Sequence, residues 1–227
     1  NNIADVDSSM KDSVIRIAVV GVGVNTKRNH LPQIARLSKE GECTLVGICD
    51  INTERARTIG TMYGCAQIFG DIDTMLAEVN PDAVFIAGTP TMQYENTKKA
   101  LRRGASVFVE KPPAPNLSKT LELIACAKER GVSFFCGFNR RFEPGITYIK
   151  NQFPPESRLV SLEGVFNTPS LNKPAPYEID SWFYSNGIHA LDTLLFLKGA
   201  RPERITAAHT PGSSLIDGSY TALMMWP

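Results

Sequence analysis

Between positions 15 and 136 the chain alternates between two textures. Short runs that are apolar almost throughout cover residues 15–20, 44–49, 83–87, 106–109 and 133–136, with a briefer candidate at 67–69. Between them the apolar positions recur at helical spacing, over residues 31–39, 53–63, 73–79, 92–103 and 117–130. Runs with no polar alternation suit strands covered on both faces, so the pattern predicts repeated βα units in a parallel, doubly wound α/β sheet. Gly104 and Gly131 fall where helix C-terminal caps are expected, and Asn116 and Ser118 are candidate N-caps.

After Phe142 the texture changes. A strand is predicted over 158–166, then a long proline-containing loop over 167–184, a helix over 185–198, and strands over 204–209 and 220–226. Strands now outnumber possible crossovers, which points to a second, incomplete α/β domain with a mixed or antiparallel open sheet. The expected organisation is a disordered polar leader at 1–13, a first domain at 14–140 and a second, truncated one at 141–227.

Composition narrows the function classes. A net charge of +1 over 227 residues offers no electrostatic case for nucleic acid or a membrane surface as partner. The five cysteines are scattered, without a Cys-x-x-Cys pair, and several lie in apolar runs. They read as reduced, buried thiols of a cytoplasmic protein. The three histidines are not spaced as metal ligands, so no metal site is expected. No apolar run approaches membrane-spanning length.

Two stretches carry candidate chemistry. Gly21-Val22-Gly23 closes the first predicted strand and opens a helix, the context in which glycines let a pyrophosphate approach backbone N–H groups at a helix N-terminus. The third glycine of that pattern is missing, because position 26 is Thr26. Asp50 ends the second strand, where an acid reaches an adenosine ribose. The plainer alternative is an ordinary βα turn with a capping aspartate. The second stretch, Val107 to Pro113, ends a strand in Glu110-Lys111-Pro112. An ammonium at a strand's C-terminal end can stabilise a developing alkoxide, or can simply be solvated.

Taken in order, Gly21-Val22-Gly23, His30-Leu31-Pro32, Cys49-Asp50, Thr89-Pro90, Glu110-Lys111-Pro112, Gly137 through Phe142, and Gly187-Ile188-His189-Ala190-Leu191-Asp192 resemble the Gfo/Idh/MocA oxidoreductases. The resemblance runs from Arg16 to the chain end. It implies an N-terminal Rossmann domain binding NAD, with NADP as the alternative, and hydride transfer to or from a sugar, nucleotide sugar or cyclitol. By position, Gly21, Gly23 and Val24 would hold the pyrophosphate turn and Asp50 the ribose. Thr89 and Pro90 would lie along the cofactor, with Glu110 and Lys111 near the nicotinamide. Lys111 and His189 would be the catalytic pair, and Arg141, Tyr177, Trp182 and His189 would meet the carbohydrate-like substrate. A homo-oligomer through the second-domain sheet is expected.

Three positions depart from the family pattern: Thr26, Tyr94 in place of a common histidine, and Ser185 where many members carry aspartate. The alternative is therefore a dinucleotide-binding regulator or scaffold without turnover. Ser185, His189, Asp192 and Phe196 share one helical stripe, so Asp192 either orients the His189 ring or anchors the helix. Arg140 and Arg141 either hold an anionic group or pair with acids. Asn172, Lys173, Tyr177, Asp180, Trp182 and Tyr184 give the long loop groups suited to a polyhydroxylated ligand.

Overall fold

The computed structural model describes residues 14–152, 162–165, 186–210 and 219–226. The chain divides into two compact units, Asn1–Cys136 and Gly137–Pro227.

In the first unit the apolar runs form six parallel strands: β1 (Ile15–Val20), β2 (Cys43–Cys49), β3 (Ile68–Phe69), β4 (Ala83–Ile86), β5 (Ser106–Val109) and β6 (Phe134–Cys136). Their order is β3-β2-β1-β4-β5-β6, so the winding direction reverses between β1 and β4. The crossover helices are α1 (Leu31–Lys39), α2 (Thr53–Tyr63), α3 (Ile72–Val79), α4 (Pro90–Arg102) and α5 (Leu117–Arg130).

Alternate residues of each strand face opposite sides, and each side has its own core. Val19, Ile48 and Phe85 pack with Leu31, Ile34, Ala56 and Ile59 of α1 and α2. Ala18, Val20, Val84, Ile86, Val107 and Val109 pack under α3, α4 and α5. Two covered faces explain why the strands carry no polar alternation.

Asn116 caps α5 by accepting from the Lys119 N–H at 3.0 Å, whereas Ser118 lies inside the helix and is no cap. Gly131 takes the left-handed C-terminal conformation of α5, with φ 66°. Gly104, also left-handed, follows the α4 cap residue Arg103.

The second unit contains α6 (Pro144–Gln152), α7 (Ile188–Lys198) and an antiparallel pair, β7 (Arg204–Thr210) with β8 (Ser219–Met225). Helix α6 escaped the sequence pattern. The strand expected over 158–166 is not present in its described part, residues 162–165. There Gly164 lies against the Leu194 side chain, close enough that a Cβ would stand 3.1 Å from it. Packing on helix α7 takes the place of a ladder partner. Lys150 donates to the Leu197 carbonyl at 3.0 Å and ties α6 to the end of α7. Among the described residues, no helix is long and apolar enough to cross a membrane.

Candidate functional site: the C-terminal edge of the parallel sheet

The turn after β1 is shaped by two glycines with different duties. Gly21 has φ 84°, and a Cβ there would collide with the Ala87 carbonyl oxygen at the end of β4. Backbone geometry and close approach both require glycine at this position. Gly23 is different: its φ is not in the left-handed region, and a Cβ would meet nothing within 4 Å. Neither the turn nor packing demands a glycine at 23, so the residue leaves open a cradle that a side chain would occupy.

Val24 begins the helix and exposes its side chain, so the free N–H groups and positive dipole end of a helix N-terminus come directly after Gly23. Thr26, in place of the third glycine, is 1% exposed, and its hydroxyl donates to the Gly21 carbonyl at 2.7 Å. It locks the turn from inside. A single π-helical turn, Thr26–His30, lengthens the entry into α1.

Asp50, beyond the end of β2, is buried and fully engaged. Its Oδ1 accepts from Asn52 N–H at 2.9 Å and Arg55 Nη2 at 2.7 Å, while Oδ2 accepts from Val22 N–H at 2.9 Å and Arg55 Nε at 3.3 Å. Four donors fill the four acceptor positions of a carboxylate. Burial pushes the Asp50 pKa up, but the Arg55 and backbone hydrogen bonds and the Arg55 charge outweigh it and hold it below its ordinary value. The same bond to Val22 pins the glycine turn.

At the ends of β4 and β5 three further positions meet. Thr89 caps α4, accepting from Met92 N–H at 3.4 Å, and Pro90 follows as its first residue. Glu110 leaves β5 with its carboxylate 2.7 Å from His30 Nε2 and accepts from the Lys111 N–H at 3.2 Å. Burial raises the Glu110 pKa, yet the bond to His30, the His30 charge and then Lys111 bring it below the usual carboxylate range. Lys111 is half-buried, and its peptide bond to Pro112 is cis. Tyr94 points away from this edge, donating to Glu122 on α5 at 2.6 Å and accepting from Lys98 at 2.9 Å. Its hydroxyl belongs to the α4–α5 seam.

Because all six strands are parallel, Gly21, Gly23, Val24, Asp50, Thr89, Pro90, Glu110 and Lys111 lie along one edge of the sheet. They flank the β1–β4 reversal, the place where open α/β sheets bind ligands. His30 and Gln93 stand at the same edge without having been singled out for a role. His30 was visible only as part of a motif. Gln93 left one signal, a polar side chain on the buried stripe of α4 with Thr97, Ala100 and Leu101.

In the second unit His189 is buried on α7, and its ring meets Phe138 edge-on at 6.1 Å. Arg141 grips Asp192 with two nitrogens, Nε to Oδ2 at 2.8 Å and Nη2 to Oδ1, and its guanidinium lies over Phe138 at 5.6 Å. Arg141 thus pairs with an acid, and Asp192 anchors α7. Tyr177, Trp182 and Ser185, with the rest of the long loop, lie outside the described residues.

Comparison with known proteins follows this geometry. The model of the GFO_IDH_MocA family, described as an oxidoreductase family with an NAD-binding Rossmann fold, matches residues 15–138. The chain is 27% identical over 217 residues to a D-glucoside 3-dehydrogenase of Escherichia coli K12, covering 89% of this chain and 59% of that protein. It is 30% identical over 193 residues to a UDP-N-acetylglucosamine 3-dehydrogenase of Acidithiobacillus ferrooxidans, covering 85% and 57%. The chain therefore spans less than two thirds of the length of these curated relatives. A dehydrogenase structure from Chromobacterium violaceum superimposes with a TM-score of 0.74 at 22% identity, over 94% of this chain and 66% of that one, a likeness of fold.

Proposed function

The chain belongs to the GFO_IDH_MocA oxidoreductase family, and on that premise we propose that it binds NAD along the C-terminal edge of its parallel sheet and transfers hydride between the nicotinamide and a sugar, nucleotide-sugar or cyclitol carbon. The observation that carries this reading is the Gly23 cradle. A glycine that neither φ nor packing requires, in front of a helix N-terminus, leaves the space a pyrophosphate needs. The dinucleotide would supply the hydride acceptor.

The residues take distinct duties. Gly21, Gly23 and Val24 present backbone to the phosphates, and Asp50 faces the adenosine ribose. Its four acceptor positions are filled within the chain, so ribose hydroxyls reach it by displacing the Arg55 fork. Thr89 and Pro90 form the wall at the end of β4, and Glu110, oriented by His30, stands beside Lys111. With NAD bound, the Lys111 ammonium would stabilise negative charge developing on a substrate oxygen, and the His189 imidazole would serve as acceptor for a substrate hydroxyl proton. Tyr177 and Trp182 supply sugar-facing surfaces. The Arg141–Asp192 pair supports Arg141 as an anchor of α7 within the second unit.

The names of the two curated relatives, both 3-dehydrogenases, support a secondary hydroxyl of a pyranose as the site of oxidation. Free, largely buried cysteines support a reducing, cytoplasmic setting. The exposed Leu223 and Met225, on one face of the β7–β8 pair, support assembly with a second copy through that sheet. A second reading, binding without turnover, is favoured by Ser185, which cannot act as the carboxylate that many family members carry there.

One experiment separates the two. Fluorescence titration with NADH establishes binding, and a panel of free sugars, nucleotide sugars and inositols with NAD is then followed at 340 nm. Binding with turnover of a panel member supports the oxidoreductase reading. Binding with no turnover of any member by the full-length protein supports the regulator.

A further inference from the structure

The Gln93 side chain is completely buried on the inner stripe of α4, at 0% exposure. Its amide is used at both ends. Oε1 accepts from the Gly88 N–H at 3.2 Å, and Nε2 donates to the Pro112 carbonyl at 2.6 Å. Those backbone groups belong to different turns. Gly88 is in the turn that leaves β4 and leads to Thr89 and Pro90, and Pro112 directly follows Lys111.

Ordinary sheet pairing does not join these turns. The β4–β5 ladder ends with Ile86 opposite Val109, and the last bond beyond it runs from Glu110 N–H to the Ile86 carbonyl at 2.9 Å. Past that point the strands diverge into their loops, and the Gln93 amide continues the connection with a side chain in place of backbone. A leucine here would fill similar volume but leave the Gly88 N–H and the Pro112 carbonyl, both in part-buried bonds, without this partner, and a hydrogen bond lost at such a place is costly. The helix core gains nothing from an amide at this position. The two turns do.

We propose that Gln93 is a positioning residue: a strut that keeps the Lys111–Pro112 turn in register with the Gly88–Pro90 turn, and so sets where Lys111 stands relative to the cofactor-facing wall. Its functional consequence rests on the NAD-dependent reading above. The strut itself does not.

The test uses the wild-type protein, Gln93→Leu and Gln93→Glu. Amide hydrogen exchange is read by NMR at Gly88, Lys111 and Ala114, and NADH affinity by fluorescence titration. Glutamate keeps an acceptor for Gly88 but cannot donate to Pro112 when ionised. Gln93→Glu should therefore leave Gly88 protected while Lys111 and Ala114 exchange faster. Gln93→Leu should speed exchange at all three and weaken NADH binding by about tenfold, within the range of one lost hydrogen bond. If the leucine variant does not fold, the selective pattern in the glutamate variant decides.

A folded Gln93→Leu protein whose exchange at these amides and NADH affinity both stay within about twofold of wild type, less than one hydrogen bond is worth, overturns the proposal. So does a glutamate variant that loosens Gly88 and Lys111 equally. If the wild-type protein does not bind NADH, the oxidoreductase reading fails. The exchange pattern then still supports or overturns the strut.

Discussion

His30 and Glu110 are 80 residues apart in the chain, yet His30 Nε2 and Glu110 Oε1 lie 2.7 Å apart. The His30 ring rests on Phe85, centroids 4.4 Å apart, and so crosses over β4 to join the entry of α1 to the exit of β5. His30→Ala would leave the Glu110 carboxylate, 14% exposed, without this partner. The expected loss is about 1–3 kcal/mol of unfolding free energy in urea at neutral pH. A double-mutant cycle with Glu110→Gln should show the two changes to be coupled. Strict additivity would mean that the contact contributes nothing.

Acid sensitivity follows from Asp50 and Glu110. Both have folded-state pKa values held below their ordinary ones. A lowered folded pKa means that the unfolded chain binds protons first as pH falls. The stabilisation is fully present above the ordinary carboxylate range, about 4, and is lost as pH falls through the lowered values. Unfolding free energy measured from pH 7 to pH 3 should drop in wild type. The drop should be smaller in Asp50→Asn and in Glu110→Gln. Equal slopes in all three proteins would assign the acid response to other carboxylates.

Cofactor choice turns on Arg55. Its fork occupies Asp50, and when displaced by a ribose it is free to turn towards a 2′-phosphate. Wild type should prefer NAD, because Asp50 repels that phosphate. Arg55→Ala should leave NAD affinity unchanged or improved and weaken NADP by about tenfold, in the range of a charge-assisted hydrogen bond. Titration of both cofactors at one ionic strength checks this, and tighter NADP binding by wild type would sink the assignment.

The two glycines should respond differently to the same added methyl group. Gly21→Ala forces a Cβ into the Ala87 carbonyl at a positive φ, so the thermal midpoint should fall markedly. Gly23→Ala meets no neighbour within 4 Å and should leave the midpoint near wild type while weakening NADH binding. Unchanged NADH affinity in folded Gly23→Ala would remove the cradle as the phosphate site.

Lys111→Met and His189→Asn test the chemical step. Each should lower kcat/KM by about a hundredfold or more, the usual contribution of a positioned proton-transfer group, with NADH affinity held within a few-fold. Single-turnover reduction of bound NAD isolates the chemical step. A His189→Asn enzyme as fast as wild type would leave His189 as a packing residue of α7.

Several of these features were legible in the residue order. Gly21 could be read as the turn glycine because a strand, a tight turn and a helix follow one another locally. Asp50 could be placed at a strand end for the same reason. What Asp50 bonds to could not be read. Its position is a matter of strand length, but its partners Val22 and Arg55 come from a loop and a helix whose approach depends on the sheet. Thr26 looked like a lost glycine and is an internal lock, because its hydroxyl finds the Gly21 carbonyl only once the π-helical turn has formed. Helix α6 escaped the pattern: it opens on Pro144 and Gly145, the two residues of lowest helix propensity.

By itself the sequence determined the first unit's parallel sheet, its crossover helices and the edge on which its chemistry-bearing residues fall. Those features depend on periodicity and turn geometry, which act over a few residues. Only the tertiary structure decided that His30 meets Glu110, that Gln93 bridges Gly88 to Pro112, and that Arg141 grips Asp192. Each is a polar contact between segments distant in the chain. A pattern of apolar and polar positions records which side chains must be buried. Which donor then finds which acceptor is settled when the packed elements bring them within hydrogen-bond reach, where an unpaired buried group would be costly.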